Sequence, residues 1–457
     1  MTQSGHNPRP GSSPSGRHRL LMVKPSAYDA EGNLLRGRRA FFPSRTLPYL
    51  AAMTGEDFDV RFLDDAVQTV RGDEPADLIV LTSMLTNVPR AIDLATNYRA
   101  TGADVVIGGP GVFSCAARLR DSGAFSSIVH HEAEGVWERL LDDFRSGNLQ
   151  PEYDGGHPAD LSGQPLPRYD LVDMQRYFRP PGQRLPFLPV ETARGCPHNC
   201  SFCGVTLFFG RQMRFRPVGD VVDEMRRLGG KYFILTDDNV GANPDRAAEL
   251  FAAMKPLNIR WAGQFSVSVM QRPDVLKLAG ESGCFNAMVG VESLVAENLD
   301  SVNKSQNTRY RLEEVVDAFH AAGIPFTASL IFGLDHDTPE VIDWTVHRMA
   351  AGGVDLVLPW VLTPGPGSRL FDDLKADGRI LHENFSLYNG VDVVFHPRQM
   401  TPRQLQEAYW RSLRRLYTLG RSVGRSLRSP RKLDTLGFNL YFWHTIRKGR
   451  HPFTGAV

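Results

Sequence analysis

The stretch "FLPVETARGCPHNCSFCG", residues 187–204, joins an apolar strand to a loop that holds three of the five cysteines in the chain. Cys196, Cys200 and Cys203 follow the pattern C-x3-C-x2-C. Thiolate ligands favour zinc, copper(I) or iron–sulfur clusters, and both a structural zinc site and a cluster normally take four protein ligands. Cys284 could supply the fourth, but it lies at a predicted helix-to-strand turn where a role in the core is favoured. The loop therefore predicts an iron–sulfur cluster with one iron open to a non-protein ligand, with zinc or a redox-only cluster as alternatives.

Length and composition limit the classes of protein to consider. At 457 residues the chain predicts two or three domains. A net charge of +1 gives no general attraction to nucleic acid, and no nucleic-acid partner is expected. No apolar run reaches the ~18–20 residues of a membrane-spanning helix. Residues 1–18 are polar and rich in Pro, Gly and Ser, which predicts a disordered N-terminus and no signal peptide. An odd number of cysteines argues against a disulfide scaffold and favours a reducing, cytoplasmic setting.

Upstream of the cysteine loop, residues 19–149 alternate between apolar strands and helices. Such alternation predicts an α/β domain with a doubly wound parallel sheet, Rossmann-like or flavodoxin-like. The predicted strands are 19–25, 59–65, 77–85, 104–112 and the start of 126–144, and the predicted helices are 47–55, 88–102 and the end of 126–144. Ligands of these sheets bind at the carboxyl ends of the strands. Here those ends carry "SMLTN" (83–87), "GGPG" (108–111) and "HHEAEG" (130–135).

Downstream of a Pro-, Gly- and Asp-rich segment (150–186), which predicts a linker, a second series of strands and helices begins. The predicted strands are 187–194, 231–239, 260–268, 285–293, 325–333 and 354–362. The predicted helices between them are 220–230, 273–283, 308–323 and 338–353, and one more that begins after Asn243 as N-cap, with Pro244 at its first position. Six such units over 187–380 predict a partial (β/α)6 barrel, open on one side, with its active site at the carboxyl ends of the strands.

The C-terminal segment, 381–457, loses this alternation and predicts a mainly helical extension, with one helix at 401–419. Between residues 411 and 450 eleven Lys and Arg residues face one acid, Asp434. Two interpretations stay open. The run is either a patch for an anionic partner or a peripheral membrane contact, or a solvated helical cap with interleaved core aromatics, namely Tyr441, Phe442 and Trp443.

The cysteine loop resembles that of radical S-adenosylmethionine (radical SAM) enzymes, which carry C-x3-C-x2-C after the first strand of a partial barrel. An aromatic residue, here Phe202, precedes the third cysteine in that family. The resemblance implies a [4Fe–4S] cluster on Cys196, Cys200 and Cys203, with S-adenosyl-L-methionine on the open iron. It further implies reductive cleavage of SAM to a 5′-deoxyadenosyl radical, with electrons from a donor such as flavodoxin or ferredoxin.

The same resemblance implies a set of SAM-binding residues at the ends of the barrel strands. "TDDN" (236–239) would meet the SAM amino group, and "SLIFG" (329–333) would lie against adenine. Ser266 would bind a ribose hydroxyl, and Glu292 would accept from a ribose hydroxyl or from the SAM amino group. The SAM carboxylate would bind Lys304. Helix capping is the alternative for the Asp and Asn residues, and a surface charge for Lys304. The expected set is Phe202, Asp237, Asp238, Asn239, Ser266, Glu292 and Lys304.

The N-terminal domain resembles the cobalamin-binding domain of radical SAM enzymes of the class B methyltransferase type, through the stretches 81–87, 105–112 and 128–141. The segment 62–73 has no histidine where many cobalamin domains place a cobalt ligand, so the lower ligand stays open. "HEAE" (131–134) also replaces a glycine by a histidine. A flavodoxin-like sheet without a ligand is the alternative. The implied cobalamin-binding residues are Ser83, Leu85, Thr86, Gly108, Gly109, Pro110, His131 and Glu132.

Together these resemblances imply a cobalamin-dependent radical SAM enzyme that methylates an unactivated carbon, or phosphorus, through methylcobalamin. A small molecule or a lipid is the expected substrate, entering at the junction of the two domains, and no catalytic acid or base is assigned. Two alternatives remain: a cobalamin-dependent cyclase or rearrangement enzyme, and a non-catalytic protein that binds cobalamin or SAM. The intact cysteine trio argues against the second alternative.

Overall fold

A computed structural model of the chain describes residues 16–158 and 160–454, which fall into two compact units. The first unit comprises residues 16–40, 44–158 and 165–176, and the second 41–43, 160–164 and 177–454. The predicted disordered segment lies outside the described residues up to residue 15, and the segment predicted as a linker is divided between the units. Within the described ranges, no helix is both long and apolar enough to cross a membrane.

The first unit is built on a six-stranded sheet in which every neighbouring pair is parallel. Its strands are β1 (His18–Lys24), β2 (Phe58–Asp64), β3 (Leu78–Thr82), β4 (Asp104–Gly108), β5 (Ser127–His130) and β6 (Glu152–Asp154). The order β2-β1-β3-β4-β5-β6 is that of a flavodoxin-like sheet, which confirms the predicted doubly wound fold. β1 and β3 are continuous apolar runs because helices cover both faces of such a sheet.

Four helices accompany this sheet: α1 (Thr46–Ala52), α2 (Val88–Ala100), α3 (Pro110–Asp121) and α4 (Trp137–Ser146). Two elements were not predicted. α3 begins in a Gly-Pro-Gly stretch that signals a turn, and it is kinked at Cys115. β6 has only three residues, too few to show alternation, and it lies in the segment predicted as a linker.

The second unit contains a six-stranded parallel sheet and a separate antiparallel pair. In chain order the strands are β7 (Leu188–Val190), β8 (Ala193–Arg194), β9 (Arg214–Phe215), β10 (Tyr232–Leu235), β11 (Arg260–Phe265), β12 (Cys284–Glu292), β13 (Phe326–Phe332) and β14 (Leu356–Val361). The large sheet runs β14-β13-β12-β11-β10-β7, and among the described residues no pairing joins β7 to β14. This topology confirms the predicted six-stranded partial barrel.

The prediction of one strand over 187–194 is wrong. β7 ends at Val190, and the chain then leaves the large sheet so that Ala193 and Arg194 pair with β9. Asp237 accounts for the break, because its carboxylate accepts hydrogen bonds from the backbone N–H groups of Thr192 (2.6 Å) and Ala193 (3.2 Å). The cysteine loop therefore lies between β8 and β9, the two strands of the small antiparallel pair.

Seven helices separate the strands of this unit: α5 (Val205–Phe208), α6 (Val218–Leu228), α7 (Pro244–Met254), α8 (Pro273–Glu281), α9 (Ala296–Ser301), α10 (Leu312–Ala321) and α11 (Pro339–Ala351). The predicted cap of α7 is confirmed, since the Asn243 side chain accepts a hydrogen bond from the Arg246 N–H (3.1 Å) and Pro244 opens the helix. α5 and α9 are too short to carry a helical period, and neither was predicted.

α12 (Arg369–Ala376) falls within the segment predicted as barrel. The C-terminal segment is helical, as predicted, with α13 (Pro402–Leu416), α14 (Leu419–Arg428) and α15 (Lys432–Arg447). A reciprocal capping box between Thr401 and Gln404 starts α13. Of the three aromatics expected in its core, Phe442 is buried, Trp443 is half-buried and Tyr441 is exposed. The interleaved core therefore rests mainly on Phe442.

Candidate active site

The residues predicted to bind SAM follow the carboxyl ends of neighbouring strands in the second unit. β7, β10, β11 and β12 are parallel, so Val190, Leu235, Phe265 and Glu292 end at the same edge of the sheet. Cys284 begins β12 and therefore lies at the opposite edge, where it is fully buried and donates to the carbonyl of Asn286 (3.6 Å). A fourth metal ligand from Cys284 is excluded by this position.

The cysteine loop has a defined backbone conformation. Gly195 has φ +94°, and a Cβ at this position would overlap the carbonyl oxygen of Gln212, so only glycine fits. The Cys196 N–H donates to the carbonyl of Gly210 (3.4 Å), and the Ser201 N–H donates to that of Val302 (3.1 Å). The loop is thereby pinned on both sides of Cys200.

The segment 302–307 holds the cysteine loop from the other side. The Asn303 side chain donates to the carbonyl of Asn199 (2.8 Å), and the Gln306 amide lies 3.4 Å from Nδ1 of His198. Lys304 lies between these two contacts in sequence. The same hydrogen bonds therefore position the cysteines and the Lys304 ammonium together.

The three cysteine thiols of the loop are free and half-buried. Burial raises the pKa of all three, that of Cys203 to about 11, and the neighbouring thiols raise the pKa of Cys200 and Cys203 further. Positive charge is needed to ionise such a group, and a metal centre supplies it.

Among the described residues no three His, Cys, Asp or Glu side chains are placed to hold a single metal ion. Each protein ligand of a cluster binds its own iron, whereas the ligands of a zinc ion converge on one centre. Three thiolates fit an iron–sulfur cluster with one open iron better than a structural zinc site, which takes four protein ligands.

A buried ion pair lies beside the thiols. Lys304 pairs with Glu292, and both side chains are buried. Burial opposes the charged ammonium, but the Glu292 carboxylate and the Cys200 thiol raise the pKa of Lys304 above its ordinary value. Gly290 leaves room for the pair, since a Cβ there would lie 2.5 Å from Glu292 Oε1 and 2.8 Å from Lys304 Nζ. Lys304 is therefore no plain surface charge.

Glu292 lies at an irregular end of β12. Its φ is +64°, and the pairing of β12 with β13 shifts register between Gly290 and Glu292. The side chain of Asn307 donates to the carbonyls of Gly290 (2.9 Å) and Val291 (3.2 Å) and so replaces ladder hydrogen bonds. Strained non-glycine residues of this kind concentrate at functional sites.

The residues of "TDDN" play different parts in the structure. Asp237 is fully buried, and its carboxylate accepts hydrogen bonds from Thr192 and Ala193. It therefore positions the backbone that leads into the cysteine loop. Asp238 is half-buried. Burial raises its pKa to about 7, with the carboxylates of Asp237 and Glu191 adding to the effect. The Asp238 carboxylate also raises the pKa of the Cys196 and Cys203 thiols, so it lies within electrostatic range of them.

The remaining predicted residues of this edge are also placed. Asn239 is buried and its Oδ1 accepts from the Ser266 N–H (3.2 Å). The Ser266 hydroxyl lies 2.9 Å from that of Ser268, and Phe202 is half-buried in the cysteine loop. The arrangement brings the thiols, Asp238, Glu292 and Lys304 into mutual electrostatic range, while Asp237 and Asn239 serve mainly to hold the strand ends.

Sequence reasoning missed a second buried network at the ends of β12 and β13. Asn298, wholly buried on α9, donates to Asp337 (2.8 Å). Asp337 in turn accepts from the N–H groups of Gly333 (2.8 Å) and Leu334 (3.1 Å), which fixes the end of "SLIFG". Near the end of β12 lies a cavity of ≈ 140 Å³ whose lining includes Ser293, Asn307 and Tyr310. The only sequence signal was an Asp and a Gly close together in "GLDHD", which is too common to single out.

In the first unit, Ser83 follows β3 at the carboxyl edge of the sheet. Its backbone N–H donates to the carbonyl of Gly108 (3.0 Å) and its carbonyl accepts from Gly111 (2.8 Å). The Ser83 hydroxyl is buried and has no hydrogen-bond partner among residues 16–158 and 160–454. Gly109 has φ +96°, and a Cβ there would lie 2.7 Å from Thr82 Oγ1. An unsatisfied buried hydroxyl beside glycines that permit close approach fits a bound cofactor.

The other predicted cobalamin-binding residues lie at the same edge. Leu85 and Thr86 form a short 3₁₀ turn and are half-buried, and Pro110 opens α3. His131 has φ +57° and its Nδ1 lies 2.7 Å from Asp154, whereas Glu132 is buried and lies 3.0 Å from Nδ1 of His157. The side chains of His131 and Glu132 therefore have protein partners of their own.

The segment 62–73, which lacks a histidine, instead contributes buried carboxylates. Asp65 is fully buried and accepts from Arg90 Nε (2.8 Å) and from the Ser26 N–H (3.3 Å), and it pairs with Arg36. This ion-pair network holds the loop after β2. A cobalt ligand from this segment would have to be a group other than imidazole.

Comparison with known proteins agrees with this geometry. Residues 190–349 match the Radical SAM superfamily. The bacteriochlorophyllide d C-12(1)-methyltransferase of Chlorobaculum tepidum is 29% identical over 411 residues, which cover 88% of this chain and 88% of that protein. The anaerobic magnesium-protoporphyrin IX monomethyl ester cyclase of Cereibacter sphaeroides is 29% identical over 327 residues, 65% of this chain and 52% of that protein.

Two solved structures share the fold. The radical SAM methyltransferase TsrM from Kitasatospora setae, with cobalamin and a [4Fe–4S] cluster bound, is 18% identical with a TM-score of 0.61, covering 79% of this chain and 78% of that one. The cobalamin-dependent radical SAM enzyme OxsB, with aqua-cobalamin and S-adenosylmethionine bound, is 13% identical with a TM-score of 0.62. The match covers 94% of this chain and 72% of OxsB. Residues 190–349 therefore form a radical SAM domain, and the chain shares the fold of both of these solved structures.

Proposed function

We propose that the protein is a cobalamin-dependent radical SAM methyltransferase that methylates an unactivated carbon. The observation that carries the proposal is the alignment with a carbon methyltransferase over 88% of the chain, which spans both units. The unpartnered Ser83 hydroxyl at the ligand-binding edge of the first sheet supports a bound cofactor there. The three thiols support a cluster in the second unit.

Each cofactor has residues suited to hold it. Cys196, Cys200 and Cys203 would ligate three irons of a [4Fe–4S] cluster. The cluster and SAM supply a hydrogen-abstracting radical when both are bound, and cobalamin supplies a methyl carrier. Asp238 offers carboxylate oxygens to the SAM ammonium, and Lys304 offers its ammonium to the SAM carboxylate.

Glu292 has a further part in this arrangement. Its carboxylate accepts from Lys304 and, having two oxygens, can also accept from a ribose hydroxyl. Asp237 and Asn307 keep the neighbouring backbone in place through the hydrogen bonds that they make. In the first unit, Ser83 Oγ is a free donor for a polar group of cobalamin, and Gly109 allows the cofactor to approach the backbone.

We propose a tetrapyrrole as the acceptor to test first. The Chlorobaculum tepidum relative is named for bacteriochlorophyllide d and the Cereibacter sphaeroides relative for magnesium-protoporphyrin IX monomethyl ester, and both names denote tetrapyrroles. The second relative is a cyclase, which favours ring formation on a tetrapyrrole as a second candidate function.

The test is an anaerobic incubation of reconstituted enzyme with a reductant, bacteriochlorophyllide d and SAM that carries a deuterated methyl group. Methyl transfer predicts one labelled methyl in the product, with S-adenosylhomocysteine and 5′-deoxyadenosine formed in equal amounts. If the enzyme is a cyclase, we expect 5′-deoxyadenosine without S-adenosylhomocysteine, and a product without a labelled methyl. A binding protein consumes no SAM, and the Cys203→Ala variant serves as the inactive control.

A further inference from the structure

Helix α14 packs with its polar face inward and its apolar face outward. Ser422, Arg425 and Ser426 are buried. Leu419, Val423 and Leu427, spaced by four residues and thus on one stripe of the helix, are 49%, 37% and 63% exposed. Amphipathic helices of globular proteins normally bury the apolar stripe, so this helix is inverted.

A network of buried polar contacts fixes the orientation of α14. The Arg425 guanidinium donates to the carbonyl of Leu416 (2.8 Å) and to the side chain of Asn439 on α15 (2.6 Å), and it lies 4.8 Å from the ring centre of Tyr417. Asn439 in turn donates to the carbonyl of Asp355 (3.1 Å). Rotating α14 to bury its leucines would leave these polar groups unpaired, which is costly. The outward stripe is therefore held in place.

The exposed apolar surface continues past the end of α14. Leu433, in the first turn of α15, is 84% exposed. The turn between the helices is held by the Ser429 and Thr435 hydroxyls, which lie 2.7 Å apart. We name the four residues Leu419, Val423, Leu427 and Leu433 the apolar stripe.

Basic residues share the exposed side of α14 with the apolar stripe, about 100–120° round the helix from Leu427. Arg421 and Arg428 are exposed on α14 and donate to the backbone carbonyls of Arg415 (2.9 Å) and Gly424 (3.4 Å). In the part of the chain that the structure describes, neither forms an ion pair with a carboxylate. Asp434 is the single acid between residues 411 and 450. The exposed side of α14 therefore carries apolar side chains on one flank and positive charge on the other.

We propose that the apolar stripe docks the protein on the surface of an anionic lipid bilayer. A narrow row of leucines with flanking arginines is the pattern of a helix that lies in the interface, with its apolar side chains among the acyl chains and its cations at the headgroups. A second copy of the chain is a poorer occupant, because pairing two such surfaces would bring like charges together. This docking is independent of the proposed function.

The test is flotation of the full-length, reconstituted enzyme with phosphatidylcholine vesicles that either contain or lack phosphatidylglycerol. Wild type is expected to float with the anionic vesicles and to remain unbound with the neutral ones. The triple variant Leu419→Ser, Val423→Ser, Leu427→Ser and the double variant Arg421→Glu, Arg428→Glu should each weaken binding at least about tenfold. Both changes are on exposed side chains, so an unchanged cluster absorbance verifies folding.

A matched control removes exposed apolar side chains elsewhere, through Phe113→Ser and Trp344→Ser, and should bind like wild type. Equal binding by the triple variant and wild type would overturn the proposal, as would flotation that does not depend on phosphatidylglycerol. Sedimentation that shows a wild-type dimer dissociated by the triple variant, without vesicle binding, would assign the stripe to a second copy instead. A failed methyl-transfer assay with intact vesicle binding would count against the proposed function alone.

Discussion

Replacing Ser83 by alanine should weaken the binding of cobalamin without lowering the stability of the protein. The Ser83 hydroxyl is buried with no hydrogen-bond partner in the described part of the chain, and such a group costs about 1–3 kcal/mol of folding free energy. Its removal should leave the free energy of unfolding of the cofactor-free protein unchanged or raise it by about 1 kcal/mol. If the hydroxyl donates to bound cobalamin, its loss should weaken binding by about 1 kcal/mol, or about fivefold in Kd.

Ser127→Ala is the matched control in the same sheet. Ser127 is equally buried, but its hydroxyl donates to the carbonyl of Gln150 (2.5 Å). This variant should lose about 1 kcal/mol of stability and keep its affinity for cobalamin. Urea unfolding of the cofactor-free protein and equilibrium dialysis with hydroxocobalamin measure the two quantities. The reasoning is refuted if Ser83→Ala destabilises as much as Ser127→Ala and leaves the Kd unchanged.

Three further predictions concern the second unit. Gly195→Ala should lower the amount of iron bound after reconstitution, because Gly195 has φ +94° and no space for a Cβ. Gly204→Ala should bind iron like wild type, because a Cβ at Gly204 would have no described atom within 4 Å. Glu292→Gln and Lys304→Met should each lower the free energy of unfolding in urea by about 3–5 kcal/mol. The double variant should lose less than the sum of the two losses, since it leaves no unpaired buried charge. A double variant whose loss equals that sum would exclude coupling between the two residues. Burial lowers the pKa of His451 from 6.5 to about 4, so between these pH values the unfolded state binds more protons than the folded state. The free energy of unfolding should therefore fall by about 3 kcal/mol as the pH drops from 6.5 to 4. His451→Gln should reduce this pH dependence, and an equal dependence of the free energy of unfolding on pH in both proteins would contradict the prediction.

The features predicted well were those that local patterns carry. The spacing of the three cysteines and the apolar strand before them indicated the radical SAM domain that residues 190–349 match, and the Asn243–Pro244 pair located the start of α7. Alternating strands and helices were enough to identify both parallel sheets. These signals survive because each is contained in a few consecutive residues.

What could not be predicted depends on partners distant in sequence. The strand expected over 187–194 breaks because Asp237, more than forty residues away, binds the backbone of Thr192 and Ala193. The pattern of α14 alone would place Leu419 and Leu427 in the core, but the contact of Arg425 with Asn439 turns the helix around. The pairing of Lys304 with Glu292 likewise appears only when β12 and the segment 302–307 are brought together.

The most direct test of the central claim is the content of iron and cobalamin in anaerobically reconstituted protein after desalting. Incubation with iron, sulfide and hydroxocobalamin is expected to give about four irons and one cobalamin per chain. Iron without cobalamin would contradict the assignment of the first unit and remove the methyltransferase proposal. Protein that retains no iron would contradict the assignment of Cys196, Cys200 and Cys203 as ligands of a cluster.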